Sequence, residues 1–449
     1  MNKFIAVKVG KGDSFYLENM EVSFLVDGGA SKNQLPTLLS SASISNDVDI
    51  LVCTHSDEDH VNGLIGYFEN SKKCQEVWLP GSWMSRLEDM LDRPKDFIRE
   101  LYENIDDLDE NFLLDSANTL EEMGDIISQR SNFSDKKKDD NSNIIPPTLP
   151  YKNEEMKFKI ESLQDESSYI KPKENKEESE ESEESEESEE SEESEESEES
   201  EESEESEESL KNKKLYSQDN LSQFINEANF ATVPFIYRKT SHQINSSKRD
   251  DIFKSSINAT KKILQLATLA YNSGATVRWF EYSETESGGG MKYFKPVNSI
   301  EIFKAKKRLA LEFLCLTKAN VESLVFYACN EDDTAGVLFC ADSNFSFQQP
   351  LNFLSNCQNL VVTAPHHGAE ANKIVYQKLA PYIPLNTIFV RSDTRQSKNK
   401  KKPRPCVDYR NLIYSKYCTI CYGQEIKQNI ILNYRTGGWS PDKTTDCIC

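Results

Sequence analysis

Short apolar, β-branched runs separated by turn residues open the chain: Phe4 to Val9, Ser14 to Leu17, Ser23 to Val26, Asp49 to Thr54 and Glu76 to Leu79. Their length and composition predict sheet strands. Between them, the helical spacing of apolar positions in Asn33 to Leu39 and Val61 to Phe68 predicts helices. A long amphipathic stretch from Ser82 to about Arg130, marked by Leu87, Met90, Leu91, Phe97, Ile98 and Leu101, predicts two more. From about Ser131 to Leu215 the pattern dissolves into charged, Asn- and Ser-rich sequence. Such a segment buries too little apolar surface to offset its ordering entropy, so it is expected to be disordered, with some helical tendency in its Glu run. It reads as an insertion, because periodic sequence resumes after it. Leu221 to Ala231 and Thr260 to Ala270 predict helices, and Thr276 to Glu281, Ile300 to Phe303, Leu311 to Leu316, Ser323 to Cys329, Gly336 to Cys340, Leu360 to Ala364, Thr387 to Val390 and Asn429 to Tyr434 predict strands. Strands at both ends with helices between them suggest a layered α/β sandwich built from two halves. Residues 1–130 would form the first half with a helical extension, 131–215 a disordered acidic insertion, and 216–449 a helical insertion followed by the second half.

Charge changes this picture at one place. The formal net charge of −24 would suggest an anionic chain that avoids nucleic acid. Yet Glu177 to Ser209 is Glu-Glu-Ser repeated eleven times and holds 22 glutamates, leaving 54 acidic against 52 basic residues elsewhere. The part expected to fold is nearly neutral. The same repeat dilutes the hydrophobic fraction to 37%. No apolar run approaches the ~20 residues of a membrane helix. Lys8 interrupts the apolar run at the N-terminus, which therefore reads as a strand rather than a signal peptide. A soluble, cytoplasmic protein is expected.

The chain has 11 cysteines, an odd count. Cys53, Cys315, Cys329 and Cys340 lie in apolar runs and fit reduced core thiols better than a disulfide framework. In the tail, Cys418, Cys421, Cys447 and Cys449 could supply four thiolates to a structural zinc. Against this, the second pair has a single spacer residue and the first sits in a strand-like run, which favours free thiols.

Four of the five histidines fall in two tight clusters. The first, Cys53-Thr-His55-Ser-Asp57-Glu-Asp59-His60, lies just after a predicted strand and before a predicted helix. Imidazole and carboxylate alternating at such a junction offer nitrogen and oxygen ligands to a zinc-like or manganese-like cation. The second, Ala364-Pro-His366-His367-Gly368, also follows an apolar strand, as does Asp342. Three strand ends could converge on one rim. His242, in Thr240-Ser-His-Gln, reads as a surface residue.

The ordered set resembles the metallo-β-lactamase fold superfamily, whose signature His-x-His-x-Asp-His is here written His55-x-Asp57-x-Asp59-His60. It looks closest to stand-alone relatives of the hydrolase domain of the competence protein ComEC. Val9-Gly10-Lys-Gly12-Asp13-Ser14 resembles that family's Gly-Gln-Gly-Asp-Ser/Ala, and Leu25-Val-Asp27-Gly28-Gly29 its Asp-x-Gly turn. Asn320-Val-Glu-Ser323-Leu-Val325, Cys340-Ala-Asp342 and Pro365-His366-His367-Gly368 follow in the family's order. The resemblance covers about residues 1–80 and 310–435. It implies a four-layer αββα metallo-β-lactamase-like sandwich with a large, partly disordered insertion. It also implies one or two divalent ions, zinc or manganese. One position would use His55 and Asp57, and the other Asp59, His60 and a histidine of the 366/367 pair, with Asp342 bridging. Asp59 and Asp342 would carry the catalysis, while Asp13 and Asp27 would orient ligands and brace the turn. The superfamily's usual third histidine, between the first cluster and the bridging Asp, has no match, which leaves the first position half-filled or mononuclear.

A pair of cations about 3.5–4 Å apart activates water and clamps the oxygens of an in-line displacement, a chemistry suited to phosphodiesters. Lys398, Lys400, Lys401, Lys402 and Arg404 form a cationic run that would attract a phosphate backbone, or would simply be a basic surface loop. The resemblance favours nucleic acid. The acidic repeat is a candidate to bind basic surfaces and compete with that substrate, with a tandem-expansion linker as the alternative. Three function classes follow: a metal-dependent phosphodiesterase or nuclease, a hydrolase of a small phosphate or carboxylic ester, and a non-catalytic metal-binding relative.

Overall fold

A computed structural model describes residues 1–44, 47–106, 119–124, 143–144, 214–240, 248–317, 320–392, 404–420, 429–435, 437–442 and 447. The acidic repeat, His242, Lys398, Lys400, Lys401, Lys402, Cys421 and Cys449 lie outside the described residues. The strands are β1 (Lys3–Ala6), β2 (Phe15–Asn19), β3 (Val22–Val26), β4 (Ile50–Val52), β5 (Glu76–Pro80), β6 (Asn143–Ile144), β7 (Thr276–Tyr282), β8 (Phe294–Pro296), β9 (Ser299–Ile302), β10 (Ala305–Lys306), β11 (Phe326–Cys329), β12 (Ala335–Phe339), β13 (Asn359–Thr363), β14 (Ile388–Arg391), β15 (Ser415–Cys418), β16 (Ile430–Arg435) and β17 (Gly438–Pro441). The helices are α1 (Leu35–Ser41), α2 (Glu58–Glu69), α3 (Met84–Asp92), α4 (Pro94–Asp106), α5 (Gln218–Thr240), α6 (Lys248–Ser273), α7 (Ala310–Thr317), α8 (Ile374–Leu379) and α9 (Val407–Arg410).

The fold is α/β with two mixed sheets. One runs β17-β16-β1-β2-β3-β4-β5-β7-β9 and the other β15-β14-β13-β12-β11-β8, while β6 pairs with β10 alone. In the first sheet β3, β4, β5 and β7 are parallel neighbours, and in the second β12, β13, β14 and β15 are. The C-terminal hairpin β16–β17 returns to pair with β1, so both chain ends build the first sheet.

Side chains alternate across each strand, as a period of two requires. Phe4, Phe24, Ile50, Val52 and Trp78 of the first sheet share one buried cluster with Phe326, Val337, Phe339, Val361 and Val390 of the second. The neighbours Ile5, Leu25, Leu51, Val77 and Leu79 turn the other way and pack under α2, α3, α4, α6 and α7. On the far face of the second sheet, Leu338, Leu360, Val362 and Phe389 pack with Val375, Tyr376 and Tyr409 of α8 and α9. Each fully buried large apolar side chain contributes about 1.5–3 kcal/mol, so these clusters outweigh the surface ion pairs in holding the sheets.

The amphipathic stretch after Ser82 does form two helices where it is described, broken at Arg93 with Pro94 opening α4, where a missing N–H is harmless. Leu311 to Leu316, expected as a strand, is instead helix α7. A short run that is apolar at nearly every position carries no period to separate the two states. Local chemistry decides it: Glu100 Oε1 accepts from the Ala310 N–H at 2.9 Å, satisfying a backbone donor at the helix start. Cys53, Cys315, Cys329 and Cys340 stand as buried free thiols. Among the described residues no helix is long and apolar enough to cross a membrane.

Helices α3 to α6 all fall between β5 and β7, which are adjacent and parallel, so the inserted region enlarges one strand-to-strand crossover. Its helix α6 lies on α2, with Lys262 Nζ 2.6 Å from Glu58 Oε1 and Gln265 Nε2 2.6 Å from Glu69 Oε1. The inner face of α2 meets the turn after β3 backbone to backbone: Gly28 N donates to His60 O at 2.8 Å, and Gly63 N to Gly29 O at 2.9 Å. A Cβ on Gly63 would stand 1.8 Å from Gly28 O. Gly63→Ala should therefore destabilise the protein by about 1–3 kcal/mol through overpacking. Alanine at the exposed Phe230 should move stability by less than about 0.5 kcal/mol. Thermal melts that leave Gly63→Ala at the wild-type temperature would refute this close approach.

Candidate metal centre

The residues singled out in the sequence come together at one edge. The loops after β1, β3 and β4 in the first sheet and after β12, β13 and β14 in the second supply Asp13, Asp27, His55, Asp342, His366, His367 and Ser392. Most of these loops leave the carboxyl ends of parallel strands, where open α/β sheets form their clefts. Asp57 is the residue before α2, and Asp59 and His60 occupy its first turn.

Asp342 is the centre. Its Oδ2 lies 3.3 Å from His366 Nε2 and 3.8 Å from His55 Nε2. Its Oδ1 lies 3.4 Å from His60 Nε2 and 3.8 Å from His367 Nε2. Asp59 Oδ2 stands 3.7 Å from His367 Nε2. Ligand atoms of His55, Asp57 and Asp342 lie within 4.8 Å of one another, as do those of Asp13, His60, Asp342 and His367. Either group could hold a metal ion.

The opposite ring nitrogens face the protein. His60 Nδ1 is 2.8 Å from Asp27 Oδ2, and His367 Nδ1 is 2.9 Å from Asp13 Oδ1 and 3.2 Å from Ser392 O. These partners can only accept, so both Nδ1 atoms carry the hydrogen. His55 Nδ1 meets Thr54 Oγ1 at 3.0 Å, and that hydroxyl gives its own hydrogen to Asp27 Oδ2 at 2.7 Å. It must then accept from His55. His366 Nδ1 lies 3.1 Å from Asn372 Oδ1, an amide whose nitrogen donates to Asp342 O and Ser343 O. All four imidazoles thus turn Nε2 inward, the arrangement by which outer partners orient metal-binding histidines.

Three of those Nε2 atoms, on His55, His60 and His367, are buried without a hydrogen-bond partner, as are Asp342 Oδ1 and Asp13 Oδ2. A buried polar atom left unmade costs about 1–3 kcal/mol, and more when charged, so this concentration of inward donors is one that a bound cation could satisfy. Charge state distinguishes the imidazoles. Burial, reinforced by neighbouring His60, pushes the His55 pKa down to about 4, leaving it neutral and able to donate a lone pair. Burial would lower His60 too, but the Asp27 and Asp342 carboxylates outweigh it and hold His60 well above its ordinary value. Burial would raise Asp342, yet His366, His60 and His367 hold it well below the usual carboxylate range. The carboxylate stays ionised in the interior.

The backbone bends to achieve this. Asp27, Ala341, His366 and His367 adopt left-handed φ values of 59°, 47°, 45° and 52°. Each such non-glycine residue costs about 1–2 kcal/mol, and strain of this kind gathers at functional sites. Gly12 (φ 96°) lets the β1–β2 loop lie on α2, since a Cβ there would be 1.8 Å from Asp59 O.

Thr54, Asn372 and Ser392 orient the histidines or brace the loops, yet carry no motif of their own. Lys11 was also missed, and its Nζ lies 3.9 Å from Asp59 Oδ2 at the rim. Arg404 Nη2 approaches His366 O at 3.4 Å. Lys398, Lys400, Lys401 and Lys402 fall outside the described residues, as does half of the cysteine set proposed for zinc.

No protein-family model matches the chain, and no curated protein matches it.

Removing Asp27 should loosen His60 and Thr54 together. Asp27→Ala is expected to weaken zinc or manganese binding by about 10–100-fold in calorimetric titration. Wild-type affinity in a folded Asp27→Ala protein would contradict the orienting role.

Proposed function

We propose that the chain is a metal-dependent hydrolase of the metallo-β-lactamase type, acting on phosphodiesters and most of all on nucleic acid. One observation carries the reading: four imidazoles turn their Nε2 atoms toward a buried, ionised Asp342 carboxylate. Two sheets packed face to face, with helices on each outer face, agree with an αββα sandwich. So does the order of His55, Asp57, Asp59, His60, Asp342 and His366-His367 along the chain.

The donor set fits a divalent cation of the zinc or manganese kind, since it mixes imidazole with carboxylate and contains no thiolate. His55, Asp57, Asp59, His60, Asp342, His366 and His367 would hold it. Such a cation supplies Lewis acidity at phosphoryl oxygens and brings the pKa of water toward neutrality. The protein's own groups do the rest. Asp59, whose Oδ2 is 3.7 Å from His367 Nε2 and 3.9 Å from Lys11 Nζ, would take a proton from an attacking water. Lys11 is about half exposed at the rim, and with Arg404 it gives positive charge where a phosphate would enter. Neither cation would help bind a neutral carboxylic ester, which favours the phosphodiester over the small-ester alternative.

The test is cleavage of single- and double-stranded DNA, RNA and an aryl phosphodiester by the zinc- or manganese-loaded protein. Asp342→Ala should lose at least about 10³-fold in kcat/KM. Lys11→Met and Arg404→Met should each raise KM for nucleic acid by about tenfold, a change of about 1.4 kcal/mol. Cleavage of nucleic acid should fall with added salt while that of the small diester changes little. Absence of metal-dependent cleavage of any phosphodiester would refute the proposal, and salt-independent turnover of small esters alone would favour the other substrate class.

A further inference from the structure

We propose that the exposed face of helices α5 and α6, in the inserted region, is a binding track for single-stranded nucleic acid that leads the strand toward the metal centre. The inference rests on the hydrolase reading above and names the form of its substrate and the surface that holds it. That surface lies outside residues 1–80 and 310–435, the stretches covered by the metallo-β-lactamase resemblance.

Topology puts the face beside the site. Helix α2 follows β4, so it starts at the carboxyl end of that strand, where the candidate metal ligands gather. Helix α6 leads into β7, which runs parallel to β5 and β4, and therefore descends alongside α2 in the same direction. Lys262 Nζ meets Glu58 Oε1, on the first residue of α2, and Gln265 Nε2 reaches Glu69 Oε1, on its last. Residues 248–261 of α6, 14 in all, come before that first contact. At a helical rise of about 1.5 Å each they extend about 20 Å past the start of α2. The upper half of α6 thus stands beside the edge that carries Asp57 and Asp59.

Its chemistry suits a polyanion with free bases. Ile252, Phe253, Ile257, Ile263 and Leu264 are buried, whereas Asn258 is exposed and Lys254, Lys261 and Lys262 are partly so. Positions 254, 258, 261 and 262 share one helix face by their spacing. Lys261 donates from Nζ to Asn229 Oδ1 of α5 at 2.7 Å, a neutral acceptor, and among the described residues it meets no carboxylate. Partial burial lowers its pKa. An arriving phosphate oxygen would offset that desolvation with a charge-assisted hydrogen bond. Phe230, next to Asn229, is 79% exposed, the most exposed aromatic ring among the described residues. Phenylalanine is ordinarily withdrawn from water. Amines for the phosphates beside an open ring for a base are the combination by which proteins hold single strands, since paired bases inside a duplex offer the ring no face. The acidic Asp251 is exposed about one turn above Lys254 and ends the positive stretch. From Lys254 to Lys262 is about 12 Å along the axis, room for three or four phosphates at about 3.4 Å apiece.

The experiment reads binding and position apart from cleavage. Fluorescence anisotropy of the full chain is measured with labelled DNA and RNA, as single strands of graded length and as duplexes, across a salt series. Single-strand affinity should rise with length to about five nucleotides and then level off, and duplexes should bind at least about tenfold more weakly. Phe230→Ala should weaken single-strand binding by about tenfold or more. Lys261→Met should weaken it by about tenfold and lower the salt slope by about 0.7. Lys254→Met is measured beside them, Lys262 is kept because its pair with Glu58 holds α6 on α2, and near-ultraviolet circular dichroism confirms folding. A 4-thiouracil in the strand should crosslink to the peptide that contains Phe230. Crosslinks confined to other segments, equal affinity for duplexes, or unchanged affinity in folded Phe230→Ala and Lys261→Met would overturn the inference, while metal-dependent cleavage would still uphold the proposed function. Binding on this face with no such cleavage would keep the track and overturn the hydrolase reading. Neither binding nor cleavage would overturn both.

Discussion

Asp13 Oδ1 and His367 Nδ1, 354 positions apart in the chain, meet at 2.9 Å in a fully buried setting. That bond joins the loop after the first strand to the loop after β13, and with it the edges of the two sheets. The second tie, Asp27 to His60 and Thr54, fixes the start of α2 against the turn after β3. Without them, each sheet would still bury its apolar face, but the imidazoles would not share a centre. Packing sets the sheets, and these carboxylate–imidazole bonds set the site.

The cost of the arrangement is considerable. Charged and polar atoms are held in an interior where each unsatisfied group is expensive, and several backbone residues sit in left-handed conformations. Apolar clusters on three surfaces of the two sheets offset that cost. The inserted helices contribute directly, since α6 lies on α2 and braces the helix that carries Asp59 and His60. A region with no metal-ligand motif of its own thus supports the helix that carries two residues of the buried cluster.

Much of this was legible in the sequence, and the reason is locality. His55, Asp57, Asp59 and His60 lie within six positions between a strand and a helix, and Asp342 and His366-His367 each directly follow an apolar strand. Short apolar, β-branched runs bounded by turn residues identified nearly all the long strands. The residues that orient the histidines were not legible, because Thr54 and Asn372 are ordinary polar side chains until the fold brings their partners near. Nor was the left-handed turn at His366-His367, which no periodicity encodes. Helix α7 was misread because Ala310–Thr317 is buried almost all round and lacks an amphipathic signal. Strands β8 and β17, Phe294-Lys-Pro and Gly438-Trp-Ser-Pro, mix lysine, glycine, serine and proline with single aromatic residues and offer no apolar, β-branched run to read.

The central claim is that the chain brings its early and late histidines around Asp342 to grip a divalent cation. Anomalous X-ray diffraction from crystals of the loaded protein, recorded at the zinc or manganese edge, tests it most directly. The account predicts anomalous density beside the Asp342 carboxylate, about 2.0–2.3 Å from the Nε2 atoms that ligate it. Density confined to other parts of the molecule, or none in a crystal soaked with the metal, would contradict it.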